Sequence, residues 1–404
     1  MKRMTLPCLA AALLAASACT NPKIEVVDFD SFHVTSVSNS DVLVAGRLNP
    51  EIHFMESGEM ETKVAETNMT DFVLNLAGSL ESKQLTHISG TYTGHDLDGS
   101  PITLSGKVLL PARGKIKNII VVTHYTVAAN FECPSESFPL EGVLASKGYA
   151  LVMPDYIGYG VTRDRIHPYL HAESTARSAV DMLLAVQPYL EYIGRTPESE
   201  EIMIVGYSQG GAGAMAVMRM IQQEYYKEFP IRKVYAGGGP YDLAATFDVS
   251  MLEDLTGIPC AIPMIVQGIN EGDGLGLNIN DFFKPALQEH MDEWINSKNY
   301  TVKQVNELLN AKKVSDIMSD VGRDKKNPQT ARLYRALMYN SVLDFTPLAP
   351  VYIFHSEEDG TVPFVNATKA EQFFKGRNVT YDFGPYGSHG TAAIRFVYNV
   401  YKDL

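Results

Sequence analysis

The chain has 404 residues, 45% of them hydrophobic, and a formal net charge of −13. That length supports one large domain with an insertion, or two domains, and that apolar content supports a sizeable core. The acidic balance argues against nucleic acid, and against an anionic membrane surface, as a general partner.

Near the start, Lys2 and Arg3 precede an apolar stretch from Leu9 to Ala16. The stretch is too short to cross a bilayer and fits a removable export signal over residues 1–18. Ala16-Ser17-Ala18 offers small residues at both recognition positions for ordinary signal cleavage. The same stretch resembles a bacterial lipoprotein signal in which Cys19 carries the lipid, with Ala16 where leucine is usual. A multiply acylated Cys19 would hold the protein to a membrane on the periplasmic or cell-surface side. A soluble exported form is the alternative. Cys8 falls within the signal, so Cys133 and Cys260 allow one intramolecular pair in an exported chain; two free thiols are the alternative. Residues 19–86 are polar and mixed, with Thr67 to Leu80 readable as a short helix. They are expected to form a tether and an N-terminal extension.

From His87 the pattern changes. Ile88, Gly90, Tyr92 and Gly94 alternate with other residues, Asp96-Leu97-Asp98-Gly99 supplies a turn, and Ile102 to Leu110 alternates again. This predicts a hairpin. Asn118 to Thr123 is a continuous apolar run, as in a central parallel strand. Gly142 to Lys147 reads as helix, Tyr149 to Pro154 as strand and His171 to Tyr192 as a long helix. Ile202 to Val205 is a short buried strand, and Ala212 to Tyr226 is a helix with Met215, Met218 and Ile221 on one face. Lys233 to Gly239 is a strand; from Tyr241 to Phe345 the pattern turns helical. Ala349 to His355 returns to strand, followed by helix Phe364 to Lys375, strand Val379 to Phe383 and helix Thr391 to Tyr401. Such alternation implies an α/β fold: a mostly parallel central sheet with helices on both faces. Its core would comprise residues 87–240 and 346–404. The helical block, residues 241–345, would be an insertion over the active edge of the sheet. A lid that shields the site from water is its expected role, with extra scaffold as the alternative.

Gly206-Tyr207-Ser208-Gln209-Gly210 lies between a predicted strand and a predicted helix and fits G-x-S-x-G. In that context the serine sits on a sharp turn that exposes its hydroxyl above a helix N-terminus. A serine nucleophile needs a histidine base, itself oriented by a carboxylate. Of the downstream histidines, His290 lies in the helical block and His355 at a strand end. His389 stands in a glycine-flanked loop after the last predicted strand and is the expected base. Asp359, in His355-Ser356-Glu357-Glu358-Asp359-Gly360-Thr361-Val362-Pro363, is the expected acid; Glu357, Glu358 and Asp242 are its competitors. Negative charge on a tetrahedral intermediate needs N–H donors. Gln209 supplies one, and Tyr125 or Thr126, after the first central strand, the other. His124 is expected to pack at that strand end. No cofactor or metal is expected. Gly272 to Gly276 has no strand before it, the acidic and amide residues from Asn270 to Asp281 lack calcium-loop spacing, and no CxxC or HExxH occurs.

From about His87 to Leu404 these residues resemble the alpha/beta-hydrolase superfamily, most specifically in GYSQGG, HSEEDGTVP and GSHG. Met153-Pro154-Asp155-Tyr156-Ile157-Gly158-Tyr159-Gly160 and Cys133-Pro134-Ser135 look like segments of secretory lipases of the lipase-A type. The resemblance implies an alpha/beta-hydrolase fold with a helical lid between the sixth strand and the acid. It also implies that a Cys133–Cys260 bridge would tie the oxyanion-side loop to the lid. The expected activity is hydrolysis of carboxylic esters by Ser208, His389 and Asp359 through an acyl-enzyme. Substrates would be small-molecule or lipid esters: acylglycerols, or acetyl and feruloyl groups on glycans. A serine peptidase on the same fold, and a non-catalytic surface lipoprotein that binds ligand in the pocket, are the alternatives.

Overall fold

A computed structural model describes residues 29–41, 84–254 and 257–404. The expected signal, Cys19 and the helix expected over 67–80 lie outside the described residues. Within them, nine strands form one sheet in the order β1-β2-β3-β5-β4-β6-β7-β8-β9. Strands β1 (His33–Asp41), β2 (Gln84–His95) and β3 (Pro101–Pro111) run antiparallel, and β3 joins β5 (Ala150–Pro154) antiparallel. From β5 onward, β4 (Ile119–Thr123), β6 (Ile202–Tyr207), β7 (Ile231–Gly237), β8 (Val351–Ser356) and β9 (Val379–Gly384) are all parallel.

The central strands read as unbroken apolar runs because both their faces are covered. Every residue of β4, β5 and β6 is buried. Alternate side chains divide between two cores, as a period of two requires. Val121, Val152 and Ile204 pack with Val180 and Leu183 of α1 (Ala172–Tyr192) and with Met215 of α2 (Gln209–Glu224). Ile120, Val122, Leu151 and Met203 face the other way, against Leu144 and against Phe396 and Val400 near the chain end.

The described residues within 241–345 hold no strand. Their longer helices are α3 (Leu243–Glu253), α4 (Ala261–Gly272), α5 (Pro285–Met291), α6 (Val302–Leu309) and α7 (Pro328–Tyr339). Local signals start them: Thr301 and Gln304 form a reciprocal capping box on α6, and Asn327 caps α7 with Pro328 in its first turn. The block is docked on the core rather than woven into it. Asn340 accepts from Ala172 N–H at 2.8 Å and donates to Asp273 at 2.7 Å. Gly268 lies so close to the Tyr169 backbone that a Cβ there would overlap Tyr169 N.

Helices α8 (Val365–Phe373) and α9 (His389–Asp403) complete the chain. One element differs from expectation. Residues 33–41, expected within the tether and extension, form edge strand β1. Residues 140–147 form a 3-10 helix, bounded by Pro139 and by Gly148 at φ 92°.

Candidate active site

Ser208 stands between β6 and α2 at φ 59°, ψ −124°, a strained conformation for a residue with a side chain. Three glycines make the turn feasible. A Cβ at Gly206 would overlap Gly210 O and Thr123 Oγ1; one at Gly210 would overlap Thr123 O; one at Gly211 would overlap Gly237 O. The turn is therefore pressed against the ends of both neighbouring strands. Ser208 N–H donates to Gly237 O at 2.9 Å, which fixes it from the β7 side.

His389 begins α9 behind the N-cap Ser388, after a turn at Gly387 with φ 81°. Its Nε2 lies 2.9 Å from Ser208 Oγ and its Nδ1 lies 2.6 Å from Asp359 Oδ2. Tyr207 donates its hydroxyl to His389 O at 2.8 Å, and the two rings are 4.9 Å apart. Asp359 follows β8 and is buried. Its Oδ1 accepts from Thr361 N–H at 2.9 Å and Val362 N–H at 2.8 Å. Burial pushes its carboxyl up, but His389, His355 and the Val362 N–H more than offset this and hold it below the ordinary range. An imidazole so oriented can take a proton from the serine hydroxyl and return it. Ser208, Asp359 and His389 are thus brought together from three parallel strand ends, where this class of sheet presents its ligands. Ser208 itself is only 3% exposed.

The competing acids are engaged elsewhere. Glu358 accepts from Gly387 N–H at 2.8 Å and so braces the turn before His389. Asp242 caps α3 through Ala245 N–H and binds Lys369 Nζ at 2.6 Å. Glu357 is exposed. His290 is stacked on Trp294, 4.3 Å away. His355 is fully buried and flanks the carboxylate, with Nε2 3.0 Å from Val362 O and 3.6 Å from Asp359 Oδ2.

Gln209 opens α2, so its N–H belongs to the first turn, which has no helical acceptor. The register pairs Thr123 of β4 with Gly206 of β6, so residues 124–126 leave the sheet beside the turn that carries Ser208. Tyr125 is half-buried there, and Tyr125 O accepts from His124 Nδ1 at 2.7 Å. The Thr126 hydroxyl is 2.6 Å from that of Tyr169. His124 packs on Tyr156 with ring centroids 4.1 Å apart.

Two buried residues near the site escaped the sequence reading. His167 bonds the side chain of Gln209, Nε2 to Nε2 at 3.1 Å. Glu141 has neither carboxylate oxygen hydrogen-bonded among the described residues, and burial pushes it up to about 7. No local spacing marks either; only the strand-end loops bring them in. The expected disulfide is not formed. Cys133 and Cys260 are separate buried thiols, Cys133 Sγ lying 3.5 Å from Ser135 Oγ. Burial pushes both thiols up. No group of three or more His, Cys, Asp or Glu side chains suited to a metal ion occurs among the described residues.

A mostly parallel sheet with a strained serine at its sixth strand's end, and a downstream acid and histidine, defines an alpha/beta hydrolase. The chain belongs to the secretory lipase family, whose model matches residues 128–396, and is a carboxylic ester hydrolase. No curated protein matches the sequence. Solved structures of the same fold include a presumed hydrolase from Legionella pneumophila, 23% identical with a TM-score of 0.73, the match covering 86% of this chain and 96% of that one. The rice cell wall degrading esterase LipA from Xanthomonas oryzae is 21% identical with a TM-score of 0.71, over 93% and 97% of the two chains. Candida antarctica lipase A in its closed state is 17% identical with a TM-score of 0.58, over 78% of each. No described helix is long and apolar enough to cross a membrane.

Proposed function

We propose that Ser208 attacks the carbonyl of a carboxylic ester while His389 takes its proton, with Asp359 holding the imidazole. The oxyanion is met by the N–H of Gln209 and by that of Tyr125 or Thr126. His389 returns the proton to the leaving alcohol, and water then releases the acyl group by the same steps in reverse. The observation that carries this reading is the unbroken line from Asp359 Oδ2 through His389 to Ser208 Oγ, with spacings of 2.6 and 2.9 Å. Ser208 is 3% exposed, which supports a role for residues 241–345 as a lid that shifts to admit substrate. A secretory family and the N-terminal signal pattern support export, with Cys19 as the lipidated anchor. The Xanthomonas esterase is described as cell-wall degrading, which supports acyl groups on glycans, beside small lipid esters, as substrates.

The test is turnover of p-nitrophenyl esters of graded acyl length beside aminoacyl anilides. Ester turnover that disappears in Ser208→Ala is expected. Faster anilide than ester cleavage would replace the esterase by a peptidase, and undiminished ester cleavage by the variant would remove Ser208 from the mechanism. Mass spectrometry of the mature N-terminus reads the anchor directly: an unmodified Cys19 ends that part of the proposal.

A further inference from the structure

His167 sits on the loop between β5 and α1, outside the Ser208–His389–Asp359 line, and is buried. Its Nδ1 is 2.7 Å from Ile157 O. A carbonyl can only accept, so Nδ1 carries the hydrogen. Burial, with His124 and Lys298 nearby, outweighs that carbonyl and lowers His167 to about 3, so the ring is neutral. Its Nε2 is then a bare lone pair, and the Gln209 amide must turn an N–H toward it across 3.1 Å. Gln209 is the residue after the serine and is only 2% exposed.

The same imidazole packs on the other wall of the site. Its ring lies parallel to that of Tyr156, 6° between planes, and Tyr156 in turn stacks on His124. The edge of its ring meets Tyr169, whose hydroxyl is 2.6 Å from that of Thr126. The loop is drawn in tightly to make these contacts. Gly158 has φ 93°, and a Cβ there would stand 2.5 Å from His167 Cα. One ring therefore touches Gln209 directly, Thr126 through Tyr169, and His124, the neighbour of Tyr125, through Tyr156.

We propose that His167 is a positioning residue for the oxyanion hole, fixing Gln209 through its Nε2 lone pair and the 124–126 loop through Tyr156 and Tyr169. This rests on the proposal that Gln209 N–H receives the oxyanion. Donors must be in place before charge develops, because a displaced donor stabilises the transition state less while leaving substrate binding nearly unchanged. The signature is therefore a fall in kcat at little-changed KM.

Four variants, each checked for folding by thermal melting, test it with a p-nitrophenyl ester and with an aryl boronic acid, which forms a charged tetrahedral adduct on serine. His167→Asn keeps a donor for Ile157 O but has no acceptor at the Nε2 position; a loss of about 10- to 100-fold in kcat is expected, with boronate affinity falling alongside. His167→Gln restores an acceptor there and should recover most of both. Gln209→Leu keeps the backbone N–H but breaks the bond, and should match His167→Asn. The double variant should be no worse than the worse single, because both remove one interaction. Losses that multiply, a raised KM at unchanged kcat, or a Gln variant no better than Asn would each overturn the role. Should His167→Asn fail to fold, the Gln209→Leu and His167→Gln pair still decides. Ser208→Ala separates the two readings: turnover surviving in it sinks the serine mechanism itself, whereas a silent Ser208→Ala beside an unaffected Gln209→Leu sinks only the positioning role.

Discussion

The rim that carries Ser208, Asp359 and His389 and the helical block over residues 241–345 are built by different means. At the rim, backbone meets backbone: Gly206, Gly210 and Gly211 each lie where a single added carbon would overlap a neighbouring main-chain atom. The block is a set of short helices with side-chain caps, attached to the core both by side chains such as Asn340 and at Gly268, where it meets the Tyr169 backbone. Main-chain contacts leave no rotamer to adjust, so they fix positions to tenths of an ångström; side-chain contacts can repack. The difference places tolerance to change at the side-chain contacts of the block and intolerance at the main-chain contacts of the rim.

The comparison can be broken from either side. The largest effect is expected for Asp359→Asn, which keeps the shape but loses the charge that orients His389: about a 10⁴-fold loss of kcat, as in other serine triads, with melting little changed. A mild effect would mean that the rim does not work through its charge. Gly210→Ala comes next and tests the backbone claim itself. Because its methyl group would overlap Thr123 O, a destabilisation of about 3 kcal/mol or more is expected in denaturant titration, and wild-type stability would refute the close-packing account.

Glu141→Gln sharpens the rim's side of the comparison. In the folded protein Glu141 is raised from 4.5 to about 7, so above the unfolded value the native state holds a proton that the unfolded chain has lost. Its contribution is therefore best below pH 4.5 and is eroded as pH rises to about 7. The variant should melt higher than wild type at pH 8, by on the order of 3 kcal/mol, with the gain shrinking toward pH 4.5. A gain independent of pH would assign the effect to packing. Asn340→Ala probes the docked block: the Ala172 N–H loses its acceptor, about 1–3 kcal/mol of stability goes, and kcat stays near wild type. A parallel fall in kcat would show the two regions to be coupled. The smallest change is expected for Arg219→Ala, which removes a pairing with an exposed Asp344 carboxylate: within about 1 kcal/mol and less in high salt.

Much of this was legible in the sequence because the signals are local. IIVVT, ALVMP and IMIVGY announce strands covered on both sides, and GYSQGG states its own turn. The histidine and acid follow from chain order in such a sheet. What stayed hidden is what depends on neighbours distant in sequence. His167 and Gln209 are joined only by the fold, and nothing around Glu141 reveals that its carboxylate will be left without a hydrogen-bond partner. Cys133 and Cys260 were legible as a pair or as two free thiols, and nothing local in the sequence chose the separate buried thiols of the fold. HVTSVSNSD escaped because, as a mostly exposed and polar edge strand, it carries no apolar run.

That overlooked strand has a practical consequence for anyone trimming the chain. Phe32, just before it, is fully buried with its ring 5.2 Å from Tyr189, and Gly90 on β2 leaves the hollow that receives it. A version starting at Gln84 would keep every residue of the chemistry yet strip a row of main-chain partners from β2 and uncover a greasy dent beside it. Bare sheet margins recruit other copies of themselves. Such a shortened protein should therefore cleave esters but elute from a sizing column as aggregates, which would assign the serine-rich ribbon at the margin a shielding role.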